Sequence, residues 1–232
     1  MTKNIPILMY HNITDDKHDL NSVYYKDFHS QIKYLTKLKY KAFNLKDIKD
    51  VSYNKKFIIT FDDGYENVFK IAMDILNDFN QKATCFIVAN NIEKTNDWDE
   101  KTNMPSNFKL MSFSNIKEWI KNNFEIGSHS LDHLDLTRLN KEEKQNQIIK
   151  SQEILNNIFK YKVKSFAYPY GKYDPECIDI LKNYYNFAVT TNKSLFNISR
   201  HGFFEIPRIS ISRKTSMFKF FLKTLTLYEN LK

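Results

Sequence analysis

The chain has 232 residues, of which 42% are hydrophobic and 27% are charged, a composition typical of a soluble protein with a sizeable core. No stretch reaches the roughly 18 apolar residues that a membrane-spanning helix needs, which excludes an integral membrane protein. The net charge of +8 would suit nucleic acid, anionic lipid or an acidic glycan, but the lysines are scattered among acidic residues, as on an ordinary solvated surface.

The N-terminal segment does not resemble a signal peptide. Only Lys3 precedes a short apolar run, and no small-residue cleavage site follows it. We therefore expect a cytoplasmic chain made without secretory export. Cys85 and Cys177 form no Cys-x-x-Cys pair and are expected to be small buried hydrophobic residues. With four glycines, five prolines and no linker or repeat, residues 1–232 are expected to form one domain.

Two kinds of apolar pattern alternate along the chain. Short β-branched and aromatic runs indicate buried strands, whereas apolar residues three or four positions apart indicate amphipathic helices. The pattern predicts a strand at 5–10, a helix at 24–40, a strand at 57–61, a helix at 66–79 and a strand at 83–89. A polar loop at 90–109 precedes a helix at 112–123, a strand from 124, a helix at 140–160, a strand and turn within 164–171, a helix at 175–185, strands at 187–191 and 205–211, and a helical tail.

Strands that alternate with helices indicate parallel β/α units. About seven such strands in one domain predict an α/β fold of the (β/α) TIM-like barrel type, distorted or incomplete. Active sites of such barrels are built at the carboxyl ends of the strands. The sequence places reactive residues at these ends, namely His11, Asp62-Asp63-Gly64, His129 with His133, Pro169-Tyr170-Gly171 and Arg208.

The spacing of the reactive residues suggests a metal site. His129 and His133 are four residues apart and, with one carboxylate, can form an open site for a divalent metal. Adjacent aspartates point in different directions from a strand, so one of Asp62 and Asp63 can bind metal while the other accepts a proton. By themselves, a surface histidine pair and an Asx turn at Gly64 would explain the same residues.

Three ordered motifs resemble those of the polysaccharide deacetylase family, carbohydrate esterase family 4. They are TFDDGY, SHSLDH and FAYPYG, and the resemblance extends over nearly the whole chain. It implies a distorted (β/α) barrel and an N-deacetylase that hydrolyses the acetamide of a sugar with a divalent metal, usually zinc. It also implies that Asp62 is the catalytic base, that Asp63, His129 and His133 bind the metal, and that the Tyr170 N–H stabilises the oxyanion.

The chain departs from the family pattern at two positions. Ala167 occupies the place of an arginine that orients the catalytic aspartate, and no late histidine follows the last strand to protonate the leaving amine. The opening LMYHNI resembles a permuted branch that includes poly-N-acetylglucosamine deacetylases. Because a closed barrel places its first strand beside its last, we expect His11 to be the general acid and Arg208 to replace the missing arginine. Strand capping by His11 and a surface ion pair at Arg208 are the ordinary alternatives.

Other functions stay open at this point. A deformylase or amidase acting on a lipid-linked sugar would use the same site, and an inactive glycan-binding module would keep the fold. A nucleic-acid binder would rest on net charge alone, and no nucleic acid is expected. The C-terminal stretch from Ser212 combines lysines with aromatic residues at helical spacing. It predicts a helix docked on the core, with peripheral contact to the inner membrane face as the alternative.

Overall fold

The computed structural model describes residues 4–16, 19–49, 53–100 and 106–230, in which one parallel sheet curls into an incomplete barrel. Seven strands follow one path in the order β7-β6-β5-β4-β3-β1-β8, and the short strand β2 pairs with the beginning of β3. The strands are β1 (Ile7–Tyr10), β2 (Lys41–Phe43), β3 (Lys56–Phe61), β4 (Thr84–Ile87), β5 (Glu125–Ser128), β6 (Ser165–Ala167), β7 (Phe187–Val189) and β8 (Ile209–Ser210). The predicted barrel class is confirmed.

Most of the helices lie between successive strands along the chain, and the last one follows β8. They are α1 (Tyr25–Lys37), α2 (Met73–Asp78), α3 (Phe113–Lys121), α4 (Lys141–Gln145), α5 (Ser151–Phe159), α6 (Pro175–Leu181) and α7 (Met217–Leu225). Side-chain caps begin several of them: Ser112 and Asn140 form capping boxes, and Asp174 caps α6. Since every strand pair is parallel, the carboxyl ends of the strands meet at one edge of the sheet.

The first and last strands lie side by side, as the sequence predicted. Leu8 pairs with Ile209 and Met9 with Ser210. A bridge between Val189 and Ile206 links β7 to the segment that leads into β8. The strand predicted at 205–211 is shorter in the structure because proline at position 207 has no N–H to donate to a ladder.

Some local features were not predicted. Strand β2 is only three residues long, too short for a periodic signal. A π-helical turn, Val68–Ala72, precedes α2, and a second one, Asn146–Lys150, joins α4 to α5. In its described residues, the predicted loop at 90–109 contains the 3-10 turn Asp97–Asp99 and the end of the turn Ala89–Asn91. Bridges from Tyr65 to Leu110 and from Thr95 to Lys109 hold it in place.

The C-terminal helix α7 packs against the core, as expected. Phe220 is fully buried in the main hydrophobic cluster and Thr224 is almost so. Cys85 and Cys177 are also buried and free, which confirms their prediction. Among the helices of the described residues, none has the length and apolar content that crossing a bilayer requires.

Candidate active site

Strand register brings His11 next to the aspartate pair. Tyr10 pairs with Phe61 at the ends of β1 and β3, and the Asp62 N–H extends this ladder by donating to the Tyr10 carbonyl at 3.0 Å. The residues that follow, His11 and Asp62, therefore leave the sheet at the same level. With Asp63 they line a cavity of about 160 Å³ at the carboxyl edge of the sheet.

Arg208 holds Asp62 in a fully buried ion pair. Its Nη1 and Nη2 atoms each donate to one carboxylate oxygen of Asp62 at 2.7 Å. Two further bonds fix the guanidinium itself, one from Nη1 to Thr60 Oγ1 at 3.0 Å and one from Nε to the Thr190 carbonyl at 2.9 Å. Arg208 is 0% exposed, so the pair is not the surface contact that was the alternative reading.

The charge of Arg208 keeps Asp62 ionised. Burial by itself would raise the pKa of Asp62, but the charge and hydrogen bonds of Arg208 outweigh it, and the pKa lies below its ordinary value. Asp62 is thus an anion whose two oxygens are oriented by one side chain. Such a carboxylate can accept a proton from a correctly placed water.

The next residue, Asp63, faces two imidazoles. Its Oδ1 atom lies 3.3 Å from Nε2 of His129 and 3.4 Å from Nε2 of His133, and all three side chains are buried. Burial would raise the pKa of Asp63, but contact with the imidazoles holds it well below its ordinary value. Burial lowers the pKa of His133, whereas at His129 the two aspartates outweigh burial and raise it.

These three side chains fit a divalent metal. Ligand atoms at the corners of a tetrahedron around zinc, at bond lengths of about 2.0–2.2 Å, lie about 3.3–3.6 Å apart. The two observed Asp63–histidine separations match this value and exceed the 2.7–2.9 Å typical of charge-assisted hydrogen bonds. His129 Nδ1 lies 2.8 Å from the Ala167 carbonyl, which can only accept, so Nδ1 carries a proton and Nε2, which faces Asp63, is the nitrogen available to a metal.

Hydrogen bonds with Ser130, Asn90 and Gln147 hold the loop that carries His133. The His133 N–H donates to Ser130 Oγ at 3.0 Å, and both residues have left-handed backbone, with φ of 58° and 65°. Asp132 receives a hydrogen bond from Asn90, and its N–H and carboxylate both pair with Gln147, which lies in the second π-helical turn. Left-handed backbone at non-glycine residues is costly and persists where the surroundings enforce it.

Tyr170 also contacts His133. Its backbone is also left-handed, with φ of 58°, in a turn that the Gly171 N–H closes onto the Tyr168 carbonyl at 2.8 Å. Its ring contacts the His133 imidazole edge-to-face at 4.6 Å. Gly171 has to be glycine here, because a Cβ at its φ of 70° would overlap the Thr191 side chain.

Aromatic residues complete the walls. Trp98 stacks on His133, with ring centroids 4.6 Å apart and planes at 24°, and Tyr65 also lines the cavity. Tyr173 is not among the cavity residues; it stacks on Tyr168. The cavity continues into a groove of about 850 Å³, and Trp98, His133 and Tyr170 line both.

Sequence reasoning did not single out two acidic residues of the cavity, Asp19 and Asp99. Asp19 lies in the loop after β1, and its carboxylate interacts electrostatically with His11. The strand-end rule that selected His11 could have found it. Asp99 lies in the long loop before α3, where no periodic pattern places a side chain.

His29 and His201 do not line the cavity. His201 stacks on Phe196 and accepts a hydrogen bond from the Asn197 N–H, and the His29 ring contacts Phe79. His18 lies outside the described residues. The structure therefore brings together the seven residues predicted from the sequence for catalysis or metal binding: His11, Asp62, Asp63, His129, His133 and Tyr170 in the cavity, with Arg208 behind Asp62.

The fold and site define a (β/α)-barrel protein with a buried Asp-His-His metal-binding geometry next to an arginine-held carboxylate. A family profile described as polysaccharide deacetylase matches residues 49–186. Since the match covers more than half of the chain, the protein belongs to the polysaccharide deacetylase family, carbohydrate esterase family 4, as its motifs predicted.

Relatives of known name agree with this assignment. YxkH of Bacillus subtilis is 28% identical over 217 residues, covering 90% of this chain and 71% of YxkH. The peptidoglycan-N-acetylglucosamine deacetylase of Bacillus cereus is 36% identical over 144 residues, 60% of this chain but only 43% of that enzyme. The poly-β-1,6-N-acetyl-D-glucosamine N-deacetylase of Staphylococcus aureus is 29% identical over 201 residues, 77% of this chain and 67% of that enzyme.

A solved structure supports the fold over nearly the full length. The Streptococcus pyogenes deacetylase PplD, solved in complex with acetate, superposes with a TM-score of 0.83 at 20% identity. The match covers 97% of this chain and 99% of PplD. At this identity the likeness concerns the fold.

Proposed function

We propose that the protein is a metal-dependent N-deacetylase that hydrolyses the acetamide of an N-acetylated sugar in a polysaccharide or glycolipid. The observation that carries the proposal is the buried Asp62–Arg208 pair beside the Asp63-His129-His133 group, at 2.7 Å and 3.3–3.4 Å respectively. The Asp62 carboxylate is not one of the proposed metal ligands, and Arg208 orients it to act as a base. Its neighbour is aimed at both imidazoles.

Asp63, His129 and His133 are the proposed metal ligands. A divalent metal bound there, most suitably zinc given one oxygen and two nitrogen donors, would polarise the amide carbonyl and acidify the attacking water. Asp63 supplies negative charge to the site. The two imidazoles donate lone pairs from Nε2, and the carbonyl of Ala167 and the ring of Trp98 hold them in place.

The remaining residues have proposed roles in moving protons and stabilising charge. Asp62 accepts a proton from the water as its oxygen attacks the acetyl carbon, and Arg208 keeps Asp62 in position. The Tyr170 N–H donates a hydrogen bond to the oxyanion of the tetrahedral intermediate. His11 gives a proton to the sugar nitrogen when the carbon–nitrogen bond breaks, and the products are acetate and an amine.

N-acetylglucosamine within a polymer is the proposed sugar. Two relatives are named for N-acetylglucosamine in a polymer, peptidoglycan in one case and β-1,6-linked poly-N-acetyl-D-glucosamine in the other. The inner cavity of about 160 Å³ suits an acetamide and part of its sugar ring, and the groove of about 850 Å³ beyond Trp98 leaves room for neighbouring sugars.

We also propose a single-domain organisation and a cytoplasmic location for the protein. One catalytic domain over residues 1–232 is supported by a sheet that runs from Ile7 to Ser210 and by the docking of α7 through Phe220. The cytoplasmic location stays a prediction from the N-terminal sequence.

The test is product release from protein that has been stripped of metal and then reloaded. Acetate and formate are measured separately on β-1,6- and β-1,4-linked N-acetylglucosamine oligomers, on lipid-linked N-acetylated sugars and on the matching N-formylated sugars. We expect acetate only after zinc is restored. Formate release would instead identify the deformylase, and zinc binding without either product would identify a glycan-binding module.

A further inference from the structure

The C-terminal helix α7 has apolar side chains on two faces, and only one face is packed. Phe220 and Thr224 lie against the core. Phe218 is 71% exposed, an unusual state for a phenylalanine, and Met217 and Phe221 are each 37% exposed. The protein's own core therefore accounts for the docking of the helix but not for its outer face.

Two further exposed apolar side chains lie on the neighbouring segment, Leu20 at 49% and Tyr25 at 46%. Helix α1, which begins at Tyr25, is in contact with α7. Both helices follow parallel strands, so their first turns lie at the edge of the sheet where the strands end. We name this surface the apolar rim, consisting of Leu20, Tyr25, Met217, Phe218 and Phe221.

Arg213 joins the two halves of the apolar rim. Its Nη2 donates to Ser22 Oγ at 2.7 Å and to the Thr14 carbonyl at 3.2 Å, and its guanidinium lies 4.2 Å from the centre of the Tyr24 ring. The segment before α7 is thereby tied to the loop between β1 and α1. The fold therefore fixes both segments that carry the apolar rim, the one before α1 and the one before α7.

Exposed lysines flank the aromatic side chains of the apolar rim. Residues 209–228 contain four arginine or lysine residues and no aspartate or glutamate. Lys223 pairs with Glu229 at 3.1 Å, whereas Lys214 and Lys219 are exposed in the same stretch as Phe218, and Lys26 is exposed beside Tyr25. Aromatic side chains combined with lysines, without acids on the same helix, are the composition of helices that lie in the interface of an anionic bilayer.

We propose that the apolar rim is a membrane-contact surface for anionic lipid. Phe218 enters the interface between headgroups and acyl chains, and Lys214 and Lys219 pair with lipid phosphates. Leu20 lies between Asp19 and Asn21, which both line the candidate active-site cavity. A bound enzyme therefore turns this cavity towards the membrane surface, so a membrane-tethered glycan is the favoured substrate; this last step rests on the proposed deacetylase function.

The test is co-sedimentation of the full chain with vesicles of phosphatidylcholine, alone or with about one-third phosphatidylglycerol. We expect binding to the anionic vesicles that weakens with added salt. Phe218→Ser should weaken it about tenfold, which corresponds to the loss of one inserted aromatic side chain. The control is Tyr184→Ser, which removes another exposed aromatic side chain (43%), beyond the end of α6 at the opposite edge of the sheet.

Three results would overturn the proposal. They are no wild-type binding to anionic vesicles, equal binding by the Phe218 and Tyr184 variants, and a wild-type dimer that Phe218→Ser converts to monomer without a change in vesicle binding. The assay needs neither metal nor substrate. Acetate release from a soluble oligosaccharide, which Phe218→Ser should leave at the wild-type rate, tests the proposed function separately.

Discussion

Replacement of Arg208 by methionine tests the ion pair at the base of the site. The change removes four hydrogen bonds and leaves the Asp62 carboxylate buried at 3% exposure without a counter-charge. Removing one partner of a buried pair costs about 3–5 kcal/mol, whereas a native domain has about 5–15 kcal/mol of stability in total. We therefore expect a folded protein with a sharply reduced free energy of unfolding.

The assay is urea unfolding of the metal-free variants at neutral pH, followed by steady-state kinetics on the zinc-loaded forms. Arg208→Lys is the matched variant, because it keeps the charge but loses the two parallel bonds, and it should lose less stability than Arg208→Met. If Arg208 positions the base, kcat falls about a hundredfold in both variants while zinc content stays at one per chain.

The reasoning would be refuted by a loss of less than about 1 kcal/mol in Arg208→Met, the range expected for an exposed ion pair. A variant that is destabilised but retains full kcat would limit Arg208 to a structural role. Equal kcat in Arg208→Lys and wild type would show that charge alone suffices.

Three further changes probe other parts of the molecule. His11→Ala should lower kcat strongly and leave the zinc content unchanged, as measured by steady-state kinetics and metal analysis. Full activity of this variant would show that His11 only caps the end of its strand. Gly127→Ala should cost about 1–3 kcal/mol in urea unfolding, since the added Cβ would overlap the Phe86 ring. Asp174→Ala should cost about 1–2 kcal/mol at pH 7 through loss of its helix cap. Burial raises the pKa of Asp174, but the hydrogen bond from Lys144 helps to hold this pKa below its ordinary value. The contribution of ionised Asp174 to the free energy of unfolding is therefore present above the unfolded-state pKa of about 4. It is lost as the pH falls through the lower pKa of the folded state. An Asp174→Ala deficit that is the same at pH 3 and pH 7 would contradict this account.

The sequence predicted the parts of the site that strands position. Asp62 and Asp63 follow a buried β-branched run, and the rule that such runs end at the catalytic edge of a barrel was enough to select them. The same rule, with barrel closure, selected His11 and Arg208 from opposite ends of the chain. In the structure Tyr10 pairs with Phe61, which sets His11 and Asp62 level at the edge of the sheet.

The residues that were missed lie where no periodic pattern exists. Asp99 lies in the loop before α3, and the stacking of Trp98 on His133 depends on how that loop folds back over the site. Gln147 reaches Asp132 from a π-helical turn, which helical spacing does not predict. Loop geometry and register shifts of this kind are set by tertiary contacts rather than by local sequence.

The central claim is that Asp62 acts as the base while Asp63 binds the metal, and a matched pair of variants tests it most directly. Zinc affinity and acetate release are measured on Asp62→Asn and Asp63→Asn under the same conditions. We predict that Asp62→Asn binds zinc as the wild type does but releases no acetate, and that Asp63→Asn loses both. Loss of zinc by Asp62→Asn, or retention of zinc by Asp63→Asn, would contradict the account.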